Sequence, residues 1–127
     1  IVLCGGMTGV MEAVCKGAKD AAGTTVGIMP GSNDDDANDY IDIAIPTGLG
    51  YARNVIVASA GGAIIAIDGA YGTLSELGSG LGNGIPIVGL NTWPFMIDEK
   101  EDTTIERADS PLEAVEKALA RAKARRT

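Results

Sequence analysis

Histidine is absent from the sequence, cysteine occurs only at Cys4 and Cys15, and aromatic residues make up 4% of the chain. Without histidine there is no imidazole general base, no Ser–His–Asp triad and no histidine-held zinc. Two cysteines outside a CxxC supply neither a disulfide framework nor a zinc cage, and no metal site is expected. Reduced thiols in a cytoplasmic protein are the simplest reading. Scarce aromatics argue against modules that stack nucleic-acid bases. Positive charge is short too: 10 Lys+Arg face 17 Asp+Glu, a formal net charge of −7, which argues against general polyanion binding. No apolar run reaches the roughly 18 residues of a membrane span, and no signal peptide is visible. Neither a nucleic acid nor a membrane is an expected partner.

The few cations are unevenly placed. Before residue 100 there are only Lys16, Lys19 and Arg53, while Lys117, Arg121, Lys123, Arg125 and Arg126 crowd the C-terminal end. An anion bound by the body of the chain must therefore be held by backbone amides, helix N-termini and Arg53.

What remains is a core and many turns. The 127 residues, 46% of them hydrophobic, suit a single domain over 1–127. Short β-branched runs alternate with helical patterns. Strands are expected at Ile1–Cys4, Thr24–Met29, Tyr40–Ile45, Ala63–Ile67 and Pro86–Leu90. Helices are expected from Thr8 to about Ala22 with Gly23 as C-cap, within Gly48–Ala60 and from about Thr73. The Gly48–Ala60 helix reads as buried nearly all round through Leu49, Ala52, Val55, Ile56 and Ala60. A last helix, Ser110–Lys123, opens with a capping box of Ser110, Pro111 and Glu113 and buries Leu112, Val115, Ala118, Leu119 and Ala122. Ser32–Asp39 and Asn91–Thr104 read as loops. The alternation specifies an α/β fold, a doubly wound parallel sheet in three layers with right-handed crossovers. Because Ile1 already lies in a core strand, a further strand–helix unit is expected upstream.

In open α/β sheets, ligands sit beyond the carboxyl ends of the strands. Three glycine-rich turns occupy such places: Gly5-Gly6-Met7-Thr8-Gly9, Thr47-Gly48-Leu49-Gly50 and Asp68-Gly69-Ala70-Tyr71-Gly72-Thr73. Glycine lets backbone approach a ligand, and amides at a helix start favour phosphate. One such turn is ordinary turn chemistry; three at successive strand ends favour a phosphorylated ligand. Neither GxGxxG nor GxxxxGK[ST] is present, so NAD enzymes and P-loop NTPases are poorly supported. Arg53, on an otherwise apolar segment, reads either as a snorkelling surface residue or as a guanidinium aimed at an oxyanion, and the scarcity of other cations favours the second. Thr73-Leu74-Ser75-Glu76 has the form of a capping box, so Glu76 has a structural role at hand beside a functional one. Asp34, Asp35 and Asp36 lack the spacing of a hard-metal loop. Gly78, Gly80, Gly82 and Gly84 imply a helix that is short or closely packed.

Gly-Gly-x-x-Gly-Val-Met-Glu-Ala-Val at Gly5–Val14 resembles the first phosphate-binding segment of the lonely-guy superfamily, often mislabelled as lysine decarboxylases. Tyr71–Glu76 resembles the second half of that superfamily's Pro-Gly-Gly-x-Gly-Thr-x-x-Glu signature, and Arg53 stands where its arginine precedes the signature. Gly23–Gly31 and Ile41–Arg53 are similar to a subgroup of small proteins that includes molybdenum cofactor carriers. Those relatives carry one more strand–helix unit ahead of the equivalent of Ile1. The resemblance implies a Rossmann-like fold, a homodimer or homotetramer, and a bound nucleotide or molybdenum cofactor with no intrinsic cofactor. It implies ligand binding by Gly5, Gly6, Thr8, Gly9, Gly48, Arg53, Gly69, Gly72 and Thr73. The superfamily's enzymes cleave the N-glycosidic bond of nucleoside 5′-monophosphates with an arginine and a glutamate, which map onto Arg53 and Glu76. Here Asp68-Gly69-Ala70 replaces Pro-Gly-Gly, and the lysine that follows the enzymes' arginine is absent. Both departures favour a carrier-like binding protein over the phosphoribohydrolase alternative.

Overall fold

The computed structural model describes residues 1–126, and the chain divides into two compact units, Ile1–Ala60 and Gly61–Thr127. Each unit is an α/β structure built on three parallel strands.

In the first unit, β1 (Val2–Cys4), β2 (Thr25–Met29) and β3 (Ile43–Pro46) lie side by side in that order. Val2 pairs with Thr25, and Val26 with Ile43. Helix α1 (Val10–Asp20) crosses from β1 to β2 and buries Cys15. Ile28 and Met29 of β2 are also buried. The start of β2 is pinned by Asp42, whose carboxylate accepts from Lys19 Nζ at 2.7 Å and from the Thr25 amide at 3.0 Å. Those donors hold the Asp42 carboxyl below the usual carboxylate range.

Helix α1 ends differently from the expectation. Ala22, not Gly23, takes the left-handed conformation, with φ 57°. The Gly23 amide then reaches back to Ala18 O at 2.7 Å and the Ala22 amide to Lys19 O at 3.0 Å, a Schellman closure. The helix expected within Gly48–Ala60 is a 3-10 turn, Gly50–Arg53, running into a short α2 (Asn54–Ala60). It is not buried all round. Arg53, Asn54 and Ala58 are buried, while Leu49, Val55 and Ile56 are exposed. The inward face belongs to the polar pair and a small residue, which apolar periodicity does not reveal.

In the second unit, β4 (Ile64–Ile67), β5 (Ile87–Leu90) and β8 (Glu106–Arg107) are parallel, with Ile64 opposite Ile87 and Val88 opposite Glu106. Helix α3 (Tyr71–Gly82) packs on β4 and β5 around Leu77, Ala66, Ile87 and Ile105. Two of the alternating glycines, Gly80 and Gly84, have a structural cause. A methyl at Gly80 would meet Ile64 Cδ1 at 2.6 Å, so glycine sets how closely α3 lies on the sheet. Gly84 caps the helix, its amide on Leu81 O and the Ile85 amide on Gly80 O. Gly78 faces open space.

The segment Asn91–Thr104 is not all loop. It contains an antiparallel hairpin of β6 (Phe95–Ile97) and β7 (Lys100–Asp102). The acidic run that suggested a loop forms its turn, with Asp98 and Glu99 both at positive φ. Helix α4 (Pro111–Arg126) is capped by Ser110 Oγ, which accepts from the Glu113 amide at 3.2 Å. The return arm of the box lands one residue early, the Asp109 amide donating to Glu113 Oε2 at 3.1 Å. Of the expected stripe, only Ala118 is buried. Ala114 and Ala118 are buried against Val88 and Ala108, whereas Leu112, Val115 and Leu119 are exposed. Small residues seat the helix near the sheet, and its larger apolar side chains are left on the outer face.

Candidate functional site

The first unit brings the Gly5–Gly9 turn and Arg53 together. The Arg53 side chain is 9% exposed and does not snorkel. It lies on the Gly5 backbone so closely that a methyl at Gly5 would stand 2.7 Å from Nη2 and 2.8 Å from Met11 Sδ. Nη1 donates to Asn54 Oδ1, and Nη2 points at Met7 Sδ. Nε is buried and has no hydrogen-bond partner. Among the described residues, Lys16 pairs with Asp20 and Lys19 with Asp42, while no carboxylate forms a salt bridge with Arg53. A buried guanidinium held by one amide side chain and one thioether is an uncompensated cation, which is costly unless an anion completes it.

The turn beside it leaves backbone donors open. Gly9 is the N-cap of α1 with φ 73° and ψ −132°, a conformation that effectively requires glycine, and no side chain caps the helix. The Thr8 and Gly9 amides donate to no protein group among the described residues. Asn38 steadies the turn from outside: its amide donates to Gly6 O at 2.9 Å and its side chain to Met7 O at 2.8 Å. Behind the turn, the Gly6 amide donates to Cys4 Sγ at 3.3 Å, and Cys4 Sγ lies 3.6 Å from Cys15 Sγ. Burial, reinforced by the neighbouring Cys4 thiol, pushes the Cys15 thiol up to about 11.

Gly48 does not join this set as a donor. Its amide is used by Gly31 O and that of Gly50 by Pro30 O, both at 2.9 Å. The Thr47–Gly50 turn serves the backbone and delivers Arg53.

The second unit carries the other turn. Gly69 has φ 111°, and a methyl there would collide with Thr73. Helix α3 begins at Tyr71 with Ala70 as N-cap and no side-chain cap. The Thr73–Glu76 capping box is therefore not formed. Thr73 sits inside the first turn, and Glu76, half-buried and engaged within the protein, lies in the second. The helix starts early because Gly69 turns the chain directly into it. The amides of Gly72 and Thr73 precede the first intrahelical donor at Leu74. Beside this turn is a pocket of about 180 Å³ lined by Asp68, Gly69, Asn91, Thr92, Trp93 and Pro94. Asp68 and Asn91, which follow the paired ends Ile67 and Leu90, both have positive φ, at 49° and 51°. Tyr71 and Trp93 stack with ring centroids 6.4 Å apart. Arg107 fixes this edge by donating to the carbonyls of Thr92 and Trp93.

Sequence reasoning missed Asn38, Asn54 and the Asn91–Pro94 edge. The position of that edge, just past the carboxyl end of a strand beside β4, was the available signal. Asn38 stands in a polar loop and gave none.

The sequence profile of the SLOG cluster4 family matches residues 1–119. The chain belongs to that family. It is 43% identical over 98 residues to an uncharacterised protein of Archaeoglobus fulgidus, covering 77% of this chain and 64% of that protein. It thus spans less than two thirds of that relative's length. Among solved structures, the molybdenum cofactor binding protein of Rippkaea orientalis superposes with a TM-score of 0.82 at 35% identity, over 93% of this chain and 75% of that one. The molybdenum cofactor carrier protein of Chlamydomonas reinhardtii gives 0.79 at 33%, over 96% and 77%. This member of the family is Rossmann-like, as the resemblance implied, and these two structural neighbours are a cofactor-binding and a carrier protein. No helix among the described residues is long and apolar enough to cross a membrane.

Proposed function

We propose that this chain is a carrier-like binding protein for a phosphorylated small molecule, with the molybdenum cofactor, a phosphorylated pterin, as its cargo class. The observation that carries the reading is Arg53: buried, without a carboxylate, Nε unpartnered, and laid against the Gly5-Gly6 turn whose Thr8 and Gly9 amides are open. An incoming phosphate supplies the missing counter-charge and accepts from the amides, and the α1 N-terminus adds to the attraction. Gly69, Gly72 and Thr73 offer the same backbone chemistry at the start of α3. Gly48 contributes position and not a donor. On this reading, affinity comes from fixed amides and one guanidinium. A homo-oligomer in the cytoplasm is part of the same reading.

The test is mass spectrometry of whatever co-purifies with the native protein, followed by incubation of the stripped protein with AMP and a cytokinin monophosphate. A phosphorylated pterin in the first step and no free base in the second are expected. Release of base that disappears in a folded Glu76→Ala variant would overturn the carrier reading in favour of phosphoribohydrolysis.

A further inference from the structure

Cys4 and Cys15 stand at the two ends of the segment that holds Gly5, Gly6, Thr8 and Gly9. Cys4 closes β1 and Cys15 is on α1, yet their sulfurs are 3.6 Å apart. Nothing in the binding reading uses them. Cys4 is half-buried and Cys15 fully buried. Among the described residues they belong to no cluster of three or more metal-ligating side chains.

We propose that Cys4 and Cys15 are a redox modification site: oxidation by a hydroperoxide joins them in an intramolecular disulfide that distorts the glycine turn between them and weakens anion binding. The proposal rests on the reading of that turn as the anion site. Cys4, the more accessible thiol, is the one that meets the oxidant. Its thiolate attacks a peroxide oxygen, giving a Cys4 sulfenic acid and one molecule of water or alcohol. The Cys15 sulfur then attacks the sulfenic sulfur, its proton leaving with the departing hydroxide as water. Two electrons pass from the two sulfurs to the peroxide, and a dithiol reductant reverses the change. The raised Cys15 thiol suits this order, since a neutral buried thiol does not meet the oxidant first.

A disulfide holds its sulfurs about 2.05 Å apart, so the pair must close by about 1.5 Å. The turn cannot absorb that silently. Cys4 Sγ is the acceptor of the Gly6 amide, Gly5 is wedged under Arg53 Nη2, and Gly6 approaches Gly27 so closely that a methyl on Gly6 would stand 3.2 Å from the Gly27 Cα. Movement of Cys4 is therefore passed to the atoms that face the anion.

The experiment treats the full chain with excess hydrogen peroxide and follows intact mass, peptide mapping and AMP binding in the reduced and oxidised states. Expected are a loss of about 2 Da, a Cys4–Cys15 cross-linked peptide, at least tenfold weaker AMP binding, and recovery with dithiothreitol. Cys15→Ala, which leaves the Cys4 acceptor of the Gly6 amide in place, is expected to keep binding that peroxide does not change. Absence of the cross-link, or a cross-linked protein that binds AMP as the reduced one does, overturns the proposal. A protein that forms the cross-link on oxidation but binds no AMP before oxidation shows instead that the anion-site reading has failed.

Discussion

At the scale of single residues, two side chains are held against their own preferences. Ala22 occupies a left-handed position at the end of α1, a conformation that costs a residue with a Cβ about 1 kcal/mol. Ala22→Gly is therefore expected to raise unfolding stability by about 0.5–1 kcal/mol, read from urea unfolding, with an unchanged denaturant slope. Cys15 is the second. Its thiol is favoured neutral in the fold, raised from 9.0 to about 11. Between those two values the native state holds a proton that the unfolded chain has lost, so stability is full below about pH 9 and falls as pH rises towards about 11. Thermal unfolding across that range checks it, and Cys15→Ala is expected to flatten the decline.

At the scale of elements, helix α3 separates glycines that matter from glycines that do not. Gly80 lies against Ile64 and Ile87, whereas Gly78 faces open space. Gly80→Ala is expected to destabilise by about 1–3 kcal/mol through overpacking. Gly78→Ala is expected to stabilise by up to about 1 kcal/mol through helix propensity. Chemical denaturation of the two variants side by side checks both, and equal effects would mean that α3 does not seat on the sheet through Gly80. The elements also mark where the sequence was readable. β2, β4 and β5 were legible because runs such as Ile64–Ile67 are β-branched and bounded by glycine or proline. The outward faces of α2 and α4 were not, because alanine and an Arg–Asn pair took the inward positions that periodicity assigns to Leu112, Val115 and Ile56. The hairpin at Phe95–Asp102 was hidden by its charge, since the pairing of Met96 with Glu101 has no apolar alternation to announce it. That Arg53 turns inward and does not snorkel was legible from its apolar segment and the scarcity of other cations. Asn54, which holds it, is recognisable only once the 3-10 turn at Gly50–Arg53 has placed both inward.

At the scale of the whole molecule, the chain carries net charge −7 and still exposes Leu112, Val115 and Leu119 along one helix. Such a ridge is larger than scattered surface apolars and suits association. The homo-oligomer reading predicts a mass of at least two chains by light scattering, and a monomer at micromolar concentration would oppose it. A buried cation without a carboxylate lowers stability until an anion arrives, so its removal separates binding from folding. The decisive measurement is calorimetric titration of the molybdenum cofactor into the native protein and into Arg53→Met, beside their melting temperatures. The account predicts binding at least tenfold weaker in the variant, with a melting temperature equal or higher. Equal affinity in a folded Arg53→Met protein would contradict it.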